Sequence, residues 1–176
     1  GMMPHFGLTK NKVKDAESRD YYQPTLRKIE NDWNQFRGPE RNGHIPNTNL
    51  PIDWKKSPKT RWSSSCGSGH SSIVTHGDLV ITIEQVGEQE SLIARNLEDG
   101  TETWRVTEPT KWHDMLSGTG PRSTPTVHDG KIYSLFSNGL LASVEASNGS
   151  VNWKIKTIPD DYDFPDWGLS ISPLIW

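Results

Sequence analysis

Residues 72–106 read SIVTHGDLVITIEQVGEQESLIARNLEDGTETWRV, and residues 124–155 read TPTVHDGKIYSLFSNGLLASVEASNGSVNWKI. Superposed, the two stretches share one plan of four short strands. The first strand occupies residues 72–75 and 124–127, the second 79–83 and 132–136, the third 92–96 and 141–145, and the fourth ends at Trp104 or Trp153. His76-Gly77-Asp78 and His128-Asp129-Gly130 make the first turn, and Asp99-Gly100 and Asn148-Gly149 make the last. Asp-Gly and Asn-Gly supply the positive φ angles that tight hairpins require. The first copy is longer between its second and third strands, and the excess is expected in a hairpin loop over residues 84–91, where insertions are tolerated.

Units of this length, each with four strands, predict propeller blades. The fold expected is all-β: a partial β-propeller of four-stranded antiparallel blades, about two full blades plus orphan strands. Residues 59–62 match residues 101–104 as an outer strand without its blade. Residues 172–175 match residues 124–127 as an inner strand without its blade. The division expected is an extension over residues 1–32, a strap over 33–70, blades over 71–106 and 123–157, and the start of a further blade over 171–176. A short helix is expected around residues 25–32, with Leu26, Ile29 and Trp33 on one face.

The composition agrees with a thin, tryptophan-held architecture. Of 176 residues only 32% are hydrophobic, yet Trp, at 8, outnumbers Tyr and Phe, at 4 each. Each large aromatic ring can bury roughly 150–250 Å². The formal net charge of −3 excludes a global basic field for nucleic acid. No apolar run reaches the roughly 20 residues of a membrane helix, and no apolar run after the first methionines reads as a signal peptide. The single cysteine, Cys66, excludes an all-cysteine metal site.

These residues resemble the quinoprotein-like, or pyrroloquinoline-quinone-like, β-propeller repeat proteins. Segments 94–104 (ARNLEDGTETW) and 143–153 (SVEASNGSVNW) are similar to that family's tryptophan-docking motif, with Glu145 a departure at the acid or amide position. Segment 33–43 (WNQFRGPERNG), Gly120-Pro121-Arg122-Ser123-Thr124-Pro125 and Trp167-Gly168 look like a bacterial, often secreted, subgroup. The resemblance implies a closed ring, usually of eight blades, of which this chain is a fragment. It also implies structural docking by Trp62, Trp104 and Trp153 between blades, and a periplasmic or secreted location.

The functional expectation is a non-catalytic scaffold that binds a protein or a carbohydrate-like ligand at the channel mouth. The residues expected there are His70 and Ser71, Arg122, and Trp167. An arginine can pair an anion in bidentate fashion, and an exposed tryptophan can stack on a flat ring or sugar. The alternative is a fragment of a dehydrogenase using pyrroloquinoline quinone and Ca²⁺. The adjacent cysteine pair common in those enzymes has no counterpart here, and their Ca²⁺ ligands and catalytic Asp match no residue of this chain.

Other candidates read as structural. Gly67-Ser68-Gly69 opens a strand rather than a helix, so it suits a blade connection better than a phosphate loop. The six histidines show no ligand-pair spacing. Asp160, Asp161, Asp163 and Asp166 form a solvated acidic loop without the EF-hand pattern. Arg37 reads as a clamp in the strap, and Cys66 lacks the charged neighbours that would activate a thiol. Orphan strands at both ends predict self-association through open blade edges.

Overall fold

The structure, a computed structural model, describes residues 32–45 and 59–176. Apart from Asp32, the helix expected over residues 25–32 lies outside them. The first blade is a meander of β1 (Val74–His76), β2 (Leu79–Val86), β3 (Gln89–Asn96) and β4 (Glu102–Glu108). A two-stranded hairpin, β5 (His113–Asp114) and β6 (Gly118–Thr119), sits in the connection to the second blade. That blade comprises β7 (Thr126–His128), β8 (Lys131–Leu135), β9 (Leu140–Glu145) and β10 (Val151–Lys156). Each blade is a four-stranded antiparallel sheet in sequential order, with β1 and β7 as neighbouring inner strands.

The extra length of the first unit does not form a loop. β2 and β3 stay paired from Leu79–Asn96 out to Val86–Gln89, and Gly87, at φ 58°, makes a tight turn. Alternation gives way to burial on both faces at Ile83, Glu84 and Gln85, and the ladder runs on through these covered positions.

The core lies between the two sheets. Val74, Ile81, Ala94 and Trp104 stand in register across β1–β4. They share one buried cluster with Val127, Ile132, Ala142 and Val144 of the second blade. Register explains why segments 94–104 and 143–153 open on a small residue: Ala94 pairs directly with Trp104, and Ser143 with Trp153.

The tryptophans seat on the following unit. The Trp62 indole N–H donates to the Leu97 carbonyl at 2.9 Å, and Trp104 donates to Ala146 at 2.9 Å. Each acceptor lies three residues before the glycine of the next turn. A Cβ on Gly100 would stand 2.5 Å from the Trp62 ring, and one on Gly149 would stand 2.9 Å from Trp104. Both glycines have positive φ, 76° and 75°. They therefore serve turn and docking together.

Two expectations are corrected. Trp153 is not largely buried: it is 43% exposed, because no following turn covers it among the described residues, and its ring leans on Tyr133 at 6.1 Å. The end segments are not unpaired strands either. Residues 59–62 adopt no strand, and Trp62 instead docks on the first blade. Residues 172–176 also adopt no strand; Ser172 accepts from the Thr124 N–H at 3.0 Å, and the Pro173 carbonyl accepts from Thr126 at 2.6 Å. The Ser172 contact repeats an earlier one, since Thr124 Oγ1 accepts from the Ser72 N–H at 3.0 Å. The Ser or Thr that opens each unit thus links it to the next segment.

The strap threads between β1 and β7. Trp33 exchanges hydrogen bonds with Thr75, and the Asn34 carbonyl accepts from the Val127 N–H at 2.8 Å. Asp32 accepts from the Gly77 N–H at 3.1 Å and faces His76 Nδ1 at 3.1 Å. Among the described residues no helix is long and apolar enough to cross a membrane.

Candidate functional site

Antiparallel meanders put the β2–β3 and β8–β9 turns, and every connection into or out of a blade, on the same face. That loop face carries residues 67–72, 109–123 and 157–172, including all four residues expected at the channel mouth. Close backbone packing unites it. A Cβ on Gly67 would stand 2.4 Å from the Gln85 carbonyl oxygen, and one on Gly120 would stand 2.3 Å from that of Ser68. The small residues of the 67–69 segment therefore let three backbones meet.

Arg122 occupies the centre of the β5–β6 hairpin. Its side chain is 8% exposed, and both Nη atoms meet internal partners, while the buried Nε has none among the described residues. Nη1 donates to the Gly120 carbonyl at 2.8 Å. Nη2 donates to Ser117 Oγ at 2.7 Å, to the Gly118 carbonyl at 3.0 Å and to Asp114. Asp114 in turn accepts from the Leu116 N–H at 2.9 Å and from the Ser117 N–H and O–H, both at 2.6 Å. The Trp112 indole adds a fourth kind of donor at 3.2 Å. Arg122 thus organises the hairpin from within rather than offering its guanidinium to a ligand.

The Ser117 donors, then Arg122 and Trp112, hold the Asp114 carboxyl far below the usual carboxylate range. A depressed folded-state pKa means the carboxylate stabilises the fold above its unfolded pKa, and that stability is lost as pH falls through the folded value. The hairpin is therefore expected to stay locked while ordinary carboxyls, near about pH 4, protonate. Arg122→Ala should release it. Amide exchange at Leu116 and Ser117 checks this: unchanged protection in the variant would show that Arg122 does not hold the hairpin.

The lock presents apolar residues. At the tip, Met115 is 97% exposed and Leu116 is 88% exposed. Beside them Trp112 rests on Gly168, where a Cβ would stand 2.6 Å from its ring, and meets Phe164 at 5.7 Å. Tyr162 contacts Phe164 edge-on at 5.3 Å. Between hairpin and loop lies a cavity of about 570 Å³ lined by Trp112, His113, Asp114, Met115, Leu116, Phe164, Pro165 and Asp166.

The other expected residues surround this hairpin unequally. His70 Nε2 lies 2.7 Å from the Ser117 carbonyl, and its backbone N–H donates to Pro121 at 2.8 Å, so His70 braces the hairpin. Ser71 turns its hydroxyl to the neighbouring Ser72 carbonyl at 3.1 Å. Trp167 is 60% exposed next to the loop that lines the cavity. Asp114, Met115, Leu116 and Ser117 were not singled out in the sequence. Their signal is present there: an Asp followed by Met-Leu-Ser-Gly, two bare apolar residues in a polar linker, with an Asp-to-Ser spacing suited to an Asx turn.

Among the described residues no group of three or more His, Cys, Asp or Glu is arranged to hold a metal ion.

A family model of the pyrroloquinoline-quinone-like repeat class, described as outer membrane protein assembly factor BamB, matches residues 51–161. Among solved structures, BamB from Moraxella catarrhalis is 16% identical, with a TM-score of 0.44, over 53% of this chain and 27% of that one. A europium-containing methanol dehydrogenase is 14% identical, with a TM-score of 0.38, over 52% of this chain and 16% of that one. The chain therefore spans about a quarter of the first structure and a sixth of the second. No curated protein matches.

Proposed function

This chain belongs to the pyrroloquinoline-quinone-like repeat family described as outer membrane protein assembly factor BamB, and from that premise we propose that it is a non-catalytic binding module whose loop face takes up a protein partner. One observation carries the reading. Two large apolar side chains, Met115 and Leu116, stand almost fully in water on a hairpin locked by the buried Arg122–Asp114–Ser117 network. Holding apolar surface in water gains nothing for the isolated fold. Fixing it in advance reduces the ordering cost of association, and apolar anchors beside aromatic rings are the kind of group on which interface energy concentrates. Arg122 and His70 act here as positioning residues, and Trp167 as a contact at the rim.

A carbohydrate-like ligand is the second reading, supported by the exposed indole of Trp167. Both readings go with a periplasmic or secreted location. Self-association is part of the proposal as well. β10 is exposed along its length, with Val151, Trp153 and Ile155 bare, and it is the outer edge of its sheet.

A photo-crosslinking amino acid placed at Leu116 tests the main reading in cells of the source organism. The control position is His128, exposed at the end of β7 on the opposite face. A discrete protein adduct is expected from position 116 alone, and Arg122→Ala should abolish it. No adduct at 116, or the same adducts from both positions, would overturn the proposal.

A further inference from the structure

Resting on the protein-binding reading, we propose that the cavity between hairpin β5–β6 and loop 159–168 takes a segment of the partner that carries a cationic side chain, preferably arginine, beside an apolar one. The apolar half of this specificity comes from the lining. Trp112, Phe164 and Pro165 line the cavity together with Met115 and Leu116, and the Trp112 and Phe164 rings are tilted by 52°. An aliphatic side chain fits between such walls, and a guanidinium stacks on an aromatic face.

The cationic half comes from a local imbalance of charge. Asp166 lines the cavity, and Asp161 and Asp163 are exposed on the same loop. Among the described residues, none of these three carboxylates has an ion-pair or hydrogen-bond partner, whereas Asp160 is held by Lys156 at 2.9 Å and Asp114 by Arg122. The cations near the hairpin are also engaged, since Lys111 binds Glu88 at 2.6 Å and Arg122 is enclosed. The rim of the cavity is thus uncompensated and negative, and a cation from outside is its complement. A neutral sugar donates hydroxyl hydrogen bonds to the carboxylates but balances none of their charge and brings no apolar side chain to the Met115–Leu116 wall.

The test uses the full chain and fluorescein-labelled peptides read by anisotropy. One peptide alternates Arg with Leu, a second alternates Glu with Leu, and a third alternates Arg with Ser. Binding is expected from the Arg–Leu peptide alone, weakening as salt screens the rim. The combined exposed substitutions Asp161→Asn, Asp163→Asn and Asp166→Asn should weaken it about tenfold, while Leu116→Ser should weaken it independently of salt. Equal binding of the Glu–Leu peptide, or indifference to the three Asn substitutions, would overturn the cationic specificity and leave the Leu116 crosslink as the separate judge of protein binding. Displacement of the peptide by cellohexaose would also overturn it, in favour of a glycan. So would a sedimentation shift to dimer that Leu116→Ser abolishes, in favour of a second copy.

Discussion

Trp104→Ala is expected to lower the free energy of unfolding by about 3–5 kcal/mol, and Trp153→Ala by less than about 1 kcal/mol. The two residues hold the same place in the repeat, so composition and spacing treat them alike. Their surroundings differ. Trp104 is 7% exposed, rests on Gly149 and gives its indole N–H to the Ala146 carbonyl. Truncating it opens a cavity between the blades and strips a buried carbonyl of its partner. Trp153 is 43% exposed and touches mainly Tyr133. Trp104→Phe should fall between, because it keeps one ring of the buried indole and loses the other together with the hydrogen bond, worth about 1 kcal/mol. Urea unfolding of the three variants is the measurement, and equal losses at positions 104 and 153 would refute the docking asymmetry.

Glu90→Ala should cost about 2–4 kcal/mol, whereas Glu90→Gln should be neutral or stabilising at neutral pH. Glu90 lies on β3 with no exposed surface, directly across the ladder from Gln85 and Glu108. Its carboxylate accepts the Ser137 N–H at 2.9 Å and the Ser137 hydroxyl, tying the first blade to the β8–β9 turn of the second. Glu108 in the same row meets Lys154. Alanine leaves both Ser137 donors buried without acceptors. Glutamine accepts from the N–H and donates to the hydroxyl oxygen without bringing a charge into the interface. Burial raises the Glu90 pKa despite the opposing Ser137 bonds and the charge of Arg122. A raised folded-state pKa means that stability is fully present below the unfolded value, near 4.5, and is lost as pH rises through the folded value. The Gln variant should lack this component of the pH profile. Chemical denaturation across the acid range reads both effects, and an Ala variant as stable as the parent would show that the tie between blades is dispensable.

Much of the architecture was legible because propeller blades are built from local rules. Asp-Gly and Asn-Gly specify turns within a few residues, alternation specifies the buried face, and each hairpin pairs neighbours in sequence. The matched Ser/Thr, glycine and tryptophan positions therefore placed both four-stranded sheets. The sequence also marked the residues around the loop face, since His70, Arg122 and Trp167 all lie near the hairpin that now defines the candidate site.

What those residues do was decided by contacts between segments distant in the chain. An arginine beside glycines reads equally well as an anion ligand or as an internal clamp. Only the arrival of Asp114, Ser117 and two carbonyls around it selects the clamp. Residues 59–62 and 172–176 carry strand-like patterns, yet their partners are an indole seat and hydroxyl contacts rather than a ladder. The sequence by itself determined the repeat, its turns and the position of the tryptophan that closes each unit, because those depend on φ preferences and on period-two burial within one unit. The tertiary structure alone decided which tryptophan is covered, which arginine is spent and which apolar residues stand bare, because each depends on a neighbour that local sequence cannot place.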